Sequence, residues 1–231
     1  ASIFDLQSVA TTTLAGNSGN NLLNASGLES SLVQGFAGDD TITLARVDDD
    51  AQAGAGNDTI GLNILGTQVN NVSGGVGNDS ITFLSATVFS NTVAGGDGND
   101  LVTFGVAGDT SLISAIQVAG NQGNDTINLT SGARTVVNAY LGLGQGNDSI
   151  YIGSGSTLTT TDIFGGIGKD TIDTTGIGGA SNTVNGGQGS DRLIIGTGAL
   201  TTAKIGAGKG TDSIFFETGA VITGSVAGGG L

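Results

Sequence analysis

The sequence predicts an all-β chain: a right-handed parallel β-solenoid of about 10–11 coils, each 18–25 residues long. Three observations carry this prediction. A glycine–aspartate motif recurs nine times in 231 residues. The step between copies stays between 18 and 25 residues, the range of one solenoid coil. Each copy is followed by apolar residues two apart, the period of a strand that buries one face.

The register rests on columns. The aspartates are Asp40, Asp58, Asp79, Asp100, Asp125, Asp148, Asp170, Asp191 and Asp212. Two residues before each stands a glycine: Gly38, Gly56, Gly77, Gly98, Gly123, Gly146, Gly168, Gly189 and Gly210. Two residues after come Ile42, Ile60, Ile81, Val102, Ile127, Ile150, Ile172, Leu193 and Ile214. The column four after is apolar except for Thr174, and another apolar column, Val33 to Ile205, lies seven before. That last column survives changes in step length, so it is anchored to the glycine turn and the length variation falls on the opposite edge. Each coil is therefore expected to run strand, variable turn, second strand, fixed glycine–aspartate turn.

In order, residues 1–34 form atypical first coils within one solenoid body spanning 1–231. The stretch 1–15 is similar to 213–227 and places Ile3 in the column of Ile214. The first turn, GNSGNNLLNA, has Asn21 in place of the aspartate and is expected to cap or to bind weakly. Residues 35–216 hold the full repeats and 217–231 an open final coil. Asp48, Asp49 and Asp50 are expected to form a solvated acidic turn. The insertion 105–111 reads as a surface loop, and the later variable edges as Gly, Ser and Thr turns. Solenoid ends without caps are strand edges that invite stacking by a further coil.

Composition excludes several classes. A net charge of −14 with only six Lys and Arg leaves nothing to neutralise a phosphate track, so no nucleic-acid partner is expected. No apolar run reaches the ~20 residues of a transmembrane helix. Without cysteine there is no disulfide framework and no thiolate metal site. With neither histidine nor cysteine, and with Arg46, Arg134 and Arg192 scattered, no catalytic constellation is present. No enzyme is expected, and the arginines are read as surface charges in weak pairs.

The motif has a chemistry of its own. Glycine permits positive φ and close backbone approach, so the turn can aim carbonyl oxygens at one place while the aspartate adds charge. Ca2+ takes six to eight oxygen ligands at roughly 2.3–2.6 Å, and strands of adjacent coils lie about 4.7–4.9 Å apart. Ions between turns would draw ligands from both and relieve repulsion along the column. One ion per gap, eight in all, would come close to balancing the chain's charge of −14.

The copies GGVGNDSITF (74–83), GGDGNDLVTF (95–104) and GGIGKDTIDT (165–174) resemble the RTX, or hemolysin-type, calcium-binding nonapeptide. The resemblance implies a parallel β-roll, several Ca2+ ions held by turn carbonyls and by the nine aspartates and glycines named above, and folding in extracellular calcium. It also implies secretion without a cleaved signal, by a type I route. Here the motif occurs once per coil, so calcium should line one edge only. Glycine is replaced by Ala53, Leu143 and Ala207 at the first motif position and by Phe36 and Asn121 at the second, which weakens those turns.

Two uses are compatible with these features. One is a structural protein of the bacterial surface, an S-layer or extracellular filament assembled from copies of itself. The other is an RTX-type adhesin or ligand-binding module for ice or a cell-surface polysaccharide, with Asn57, Asn78, Asn99, Asn124 and Asn147 as a partial outward rank.

Overall fold

The computed structural model describes residues 2–10, 12–45, 48–63, 70–84, 88–105, 112–129, 132, 134–175, 177–196 and 198–229; side-chain positions of 2–10 and 29 are not among them. Every described strand pairs in parallel with its counterpart one coil away. The chain is a β-solenoid. No helix among the described residues is long and apolar enough to cross a membrane.

One sheet of 11 strands follows the aspartates, with Thr41–Leu44, Leu101–Phe104 and Arg192–Ile195 as examples. Its apolar residues at plus two and plus four face inward: Ile42, Leu44, Ile60, Leu62, Phe104 and Ile195 are fully buried. Thr174 keeps its place in that column, because its hydroxyl donates to the Ile194 carbonyl at 2.9 Å and so enters the core paired. The opposing strands precede the aspartates, as in Leu32–Ala37, Thr92–Asp97 and Thr183–Gly189. There the minus-seven column is buried from Val33 to Ile205. Between the two sheets the core also holds a stacked pair, Phe83 and Phe104, with ring centroids 4.6 Å apart.

The coil has one more part than the two-strand expectation. From Val88 onward a third short strand precedes the second sheet: Val88–Phe89, Leu112–Ser114, Thr135–Val137, Thr157–Thr159 and Gly178–Ala180. It adds Val88, Ile113, Val136 and Leu158 to the core. The corner that follows is made by one residue with positive φ, ten before the aspartate. Ser30, Asp48, Ser90, Ala115, Asn138, Thr160, Ser181 and Thr202 all lie at φ 49–62°.

The first coil also differs from expectation. Phe4, rather than Ile3, pairs with Leu23, so the column of Ile42 and Ile214 continues to Phe4. A one-residue slip exchanges the two faces of a strand. The similarity of 1–15 to 213–227 carried no glycine turn before Ser2 to fix the register.

Candidate metal edge

The glycine two before each aspartate is set by sterics. Gly56, Gly146, Gly168 and Gly189 have φ of 140–148°, and a β-carbon on any of them would overlap the carbonyl of the equivalent glycine one coil earlier. Backbones touch here, so the turns stack at the pitch of the sheet. The position four before the aspartate also keeps positive φ throughout, even at Phe36 (76°) and Asn121 (83°). These two turns depart from the motif in residue type and hold its backbone shape.

Stacked turns carry two side-chain ladders. On the outside, the asparagines just before the aspartates accept from the next coil: Asn78 N–H donates to Asn57 Oδ1, Asn99 to Asn78, Asn124 to Asn99 and Asn147 to Asn124, all at 2.7–2.8 Å. The Asn rank is exposed, and its carbonyl oxygens are engaged in joining coils. On the inside the direction reverses. Asp40 N–H donates to Asp58 Oδ1, Asp58 to Asp79, Asp79 to Asp100, Asp100 to Asp125 and Asp125 to Asp148 at 2.7–2.8 Å. Asp148, Asp170 and Asp191 continue the run to Asp212 at 2.9–3.0 Å.

Each carboxylate thus spends one oxygen on the ladder. The second oxygen, Oδ2, of Asp40, Asp58, Asp79, Asp100, Asp125, Asp148, Asp170, Asp191 and Asp212 is buried and has no protein hydrogen-bond partner. An unpartnered buried acceptor costs roughly 1–3 kcal/mol, and more when charged. Burial accordingly raises the carboxyls of Asp58, Asp79 and Asp100 to about 6 and those of Asp125 and Asp170 to about 7. Asp40, Asp148 and Asp191 shift upward for the same reason. The ladder hydrogen bond pulls each back, and repulsion between neighbouring carboxylates is a smaller push. Desolvation, more than mutual repulsion, is what loads this edge.

The orphan oxygens point at the residue five before their own aspartate. A methyl carbon added at Gly165 would lie 2.7 Å from Asp170 Oδ2 and closer still to the Gly186 carbonyl. At Gly186 the distance to Asp191 Oδ2 would be 2.6 Å, with the Ala207 carbonyl nearer. Gly35, Gly74 and Gly120 show the same pairing of their own aspartate with a carbonyl from the next coil. A carboxylate oxygen and a carbonyl oxygen therefore converge from two coils on a small cradle, at spacings on the order of a calcium–oxygen bond. Among the described residues no group of three acidic side chains could hold a metal, so backbone carbonyls must supply most ligands. The donor set is all oxygen, which suits Ca2+ and excludes a soft-metal site.

The first turn is built differently. Asn21 Oδ1 accepts from Asn17 N–H at 2.7 Å, and its amide donates to Asn17 Oδ1 at 3.3 Å. It satisfies itself within the turn and brings no charge.

Two other expectations change. Asp49 is fully buried and its Oδ1 accepts from Ser31 N–H at 2.8 Å, so the run 48–50 is not simply a solvated turn; only Asp48 is exposed. Asp49 belongs to a second buried column, nine before the aspartates, that includes Asn70, Asn91, Thr161 and Asn182. Arg134 is also buried, its guanidinium packed over Gly105, while Arg192 lies 4.9 Å from the Phe215 ring centre. Arg46 and residues 106–111 of the insertion lie outside the described residues.

These features define a class: a parallel solenoid with buried carboxylates stacked along one edge and oxygen cradles between turns. A family model, the RTX calcium-binding nonapeptide repeat, matches four copies at residues 46–60, 83–110, 117–136 and 178–199. This match and the β-solenoid together support an RTX-type repeat protein, and the four matched segments are calcium-binding repeats by that model. The matched segments contain Asp58, Asp100, Asp125 and Asp191; the ladder extends the same turn to the other five aspartates. A search of the curated proteins gave no match. RTX repeats are typical of secreted extracellular proteins, and the family is generally structural.

Proposed function

We propose that this chain is a calcium-stabilised, non-enzymatic structural protein of the bacterial cell surface, joined to copies of itself by stacking of solenoid ends into a filament or S-layer. Calcium binds along the edge from Asp40 to Asp212, with aspartate and turn carbonyl oxygens, including those near Gly38 to Gly210, as ligands. The calcium part of this reading rests on the nine buried second carboxylate oxygens. The assembly part rests on the repeat itself, since parallel coils stack in register through backbone pairing and coils of one copy can add to those of another in the same way. Electron microscopy in calcium and then in chelator tests this. Calcium-dependent filaments or sheets are expected; separate short rods in calcium would overturn it.

A ligand-binding module is the second reading, and one surface feature favours it. Tyr140 and Phe164 lie 5.5 Å apart on the outer face beside a groove of about 240 Å³ floored by Gly142, Gly144 and Gly166. An exposed tyrosine ring beside a half-buried phenylalanine over a glycine floor suits the apolar face of a neutral sugar. Loss of polysaccharide binding in Tyr140→Ala would support that reading, and an array without affinity for polysaccharide would exclude it.

A further inference from the structure

The column five before the aspartates decides which turns can hold an ion. Six coils place glycine there: Gly35, Gly74, Gly95, Gly120, Gly165 and Gly186. In each, the space that a single methyl carbon would take lies against the coil's own aspartate Oδ2. The remaining three coils put a side chain in that space: Ala53 before Asp58, Leu143 before Asp148 and Ala207 before Asp212. All three are buried, at 0%, 0% and 1% exposure.

We infer that these residues are plugs, and that the chain holds six calcium ions in three separate groups rather than one in every gap. The inference rests on the calcium reading of the edge. Asp40 stands alone ahead of the Ala53 plug; Asp79, Asp100 and Asp125 form an uninterrupted run of three; Leu143 separates them from Asp170 and Asp191; and Ala207 closes the series. A plug acts on its own coil only. The carbonyls of Ala53, Leu143 and Ala207 still converge on the cradles of Asp40, Asp125 and Asp191, because substitution of a side chain leaves the backbone acceptor in place. Leu143 is the most effective of the three: its branched apolar side chain excludes the ion and the water that would accompany it.

The expected signature is a count. Equilibrium dialysis of the whole chain with calcium should give six tight ions. Leu143→Gly should add a seventh, and the further change Asp148→Asn in that background should return the count to six. Gly120→Ala should lower the wild-type count by one. Circular dichroism of each variant checks that the solenoid is intact, and the wild-type count stands even where a variant fails to fold. Eight or nine ions in the wild type, or a folded Leu143→Gly that still holds six, would overturn the plug inference and leave the calcium edge standing. A folded Asp170→Asn with no loss of calcium would instead remove the calcium reading itself.

Discussion

Two buried polar columns run the length of the solenoid, and they have opposite tolerances. Nine before the aspartates, the corner column uses the same device as the aspartate edge: a side-chain oxygen accepts the backbone N–H one coil earlier. Ser31 N–H bonds Asp49 Oδ1, Asn70 N–H bonds Asn91 Oδ1, and Thr161 N–H bonds Asn182 Oδ1. Yet three coils put Ile116, Ala139 and Ala203 in this column, and the fold continues through them. The aspartate column has no such gap in nine coils. A corner ladder is dispensable; the acid is not. What the aspartate column has is regularity: a carboxylate with a second buried oxygen lacking a protein hydrogen-bond partner recurs in all nine copies, whereas the corner column carries a carboxylate only at Asp49.

The largest effect that would break this comparison is removal of calcium. The buried carboxyls titrate near 4 in the unfolded chain and at about 6 to 7 in the metal-free fold. A group whose pKa is raised by folding favours the fold in its protonated form. The metal-free fold is therefore most stable below about pH 4 and loses stability as pH rises through 6 to 7. Chelation at pH 7.5 should abolish most β-sheet circular dichroism, and acidification of the chelated sample to about pH 4.5 should restore part of it. With calcium bound the dependence reverses, since protons then compete with the ion.

Next in size is the steric floor of the turn. Gly168→Ala forces a β-carbon into the Gly146 carbonyl at φ 148°, and a loss on the order of 3 kcal/mol is expected in denaturant unfolding with calcium present. The corner column gives a smaller effect. Asn182→Ala strands the Thr161 N–H and the Leu158 carbonyl and should cost about 1–3 kcal/mol, with the calcium count unchanged. Smallest in structural terms is Asp100→Asn. The carboxamide keeps an oxygen for the Asp79 N–H while removing the buried charge. Calcium binding should fall by one ion, and the chelated fold at pH 7.5 should become more stable. A less stable chelated fold would show the charge to be structural.

Much of this was legible because the glycine turn is rigid. Its steric contact forces glycine two before each aspartate, and the columns tied to that turn could be found by counting. The rest was hidden for physical reasons. The third strand follows segments of variable length and so has no fixed offset from the preceding turn, but it does hold a column twelve before the next aspartate, Val88, Ile113, Val136, Leu158 and Leu200, interrupted at Gly179, which counting back could have found. The positive-φ corner is occupied by Ser, Asp, Ala, Asn and Thr, with no glycine to mark it. Counting nine back from Asp79, Asp100 and Asp191 finds Asn70, Asn91 and Asn182, a faint signal that was available. Asp49 was masked by Asp48 and Asp50 beside it, since a charge run averages over one buried member and two partly or fully exposed ones. Arg134 looked like a surface charge because nothing in TSGAR announces burial.

The most direct test of the central claim is a calcium anomalous-difference map from crystals of the whole chain grown in calcium. Peaks are predicted along the turn edge, beside the second carboxylate oxygens of Asp40, Asp79, Asp100, Asp125, Asp170 and Asp191, with none at the corner of Asp49, Asn70, Asn91 and Asn182. An edge without peaks, its second oxygens hydrogen-bonded to water alone, would contradict the account.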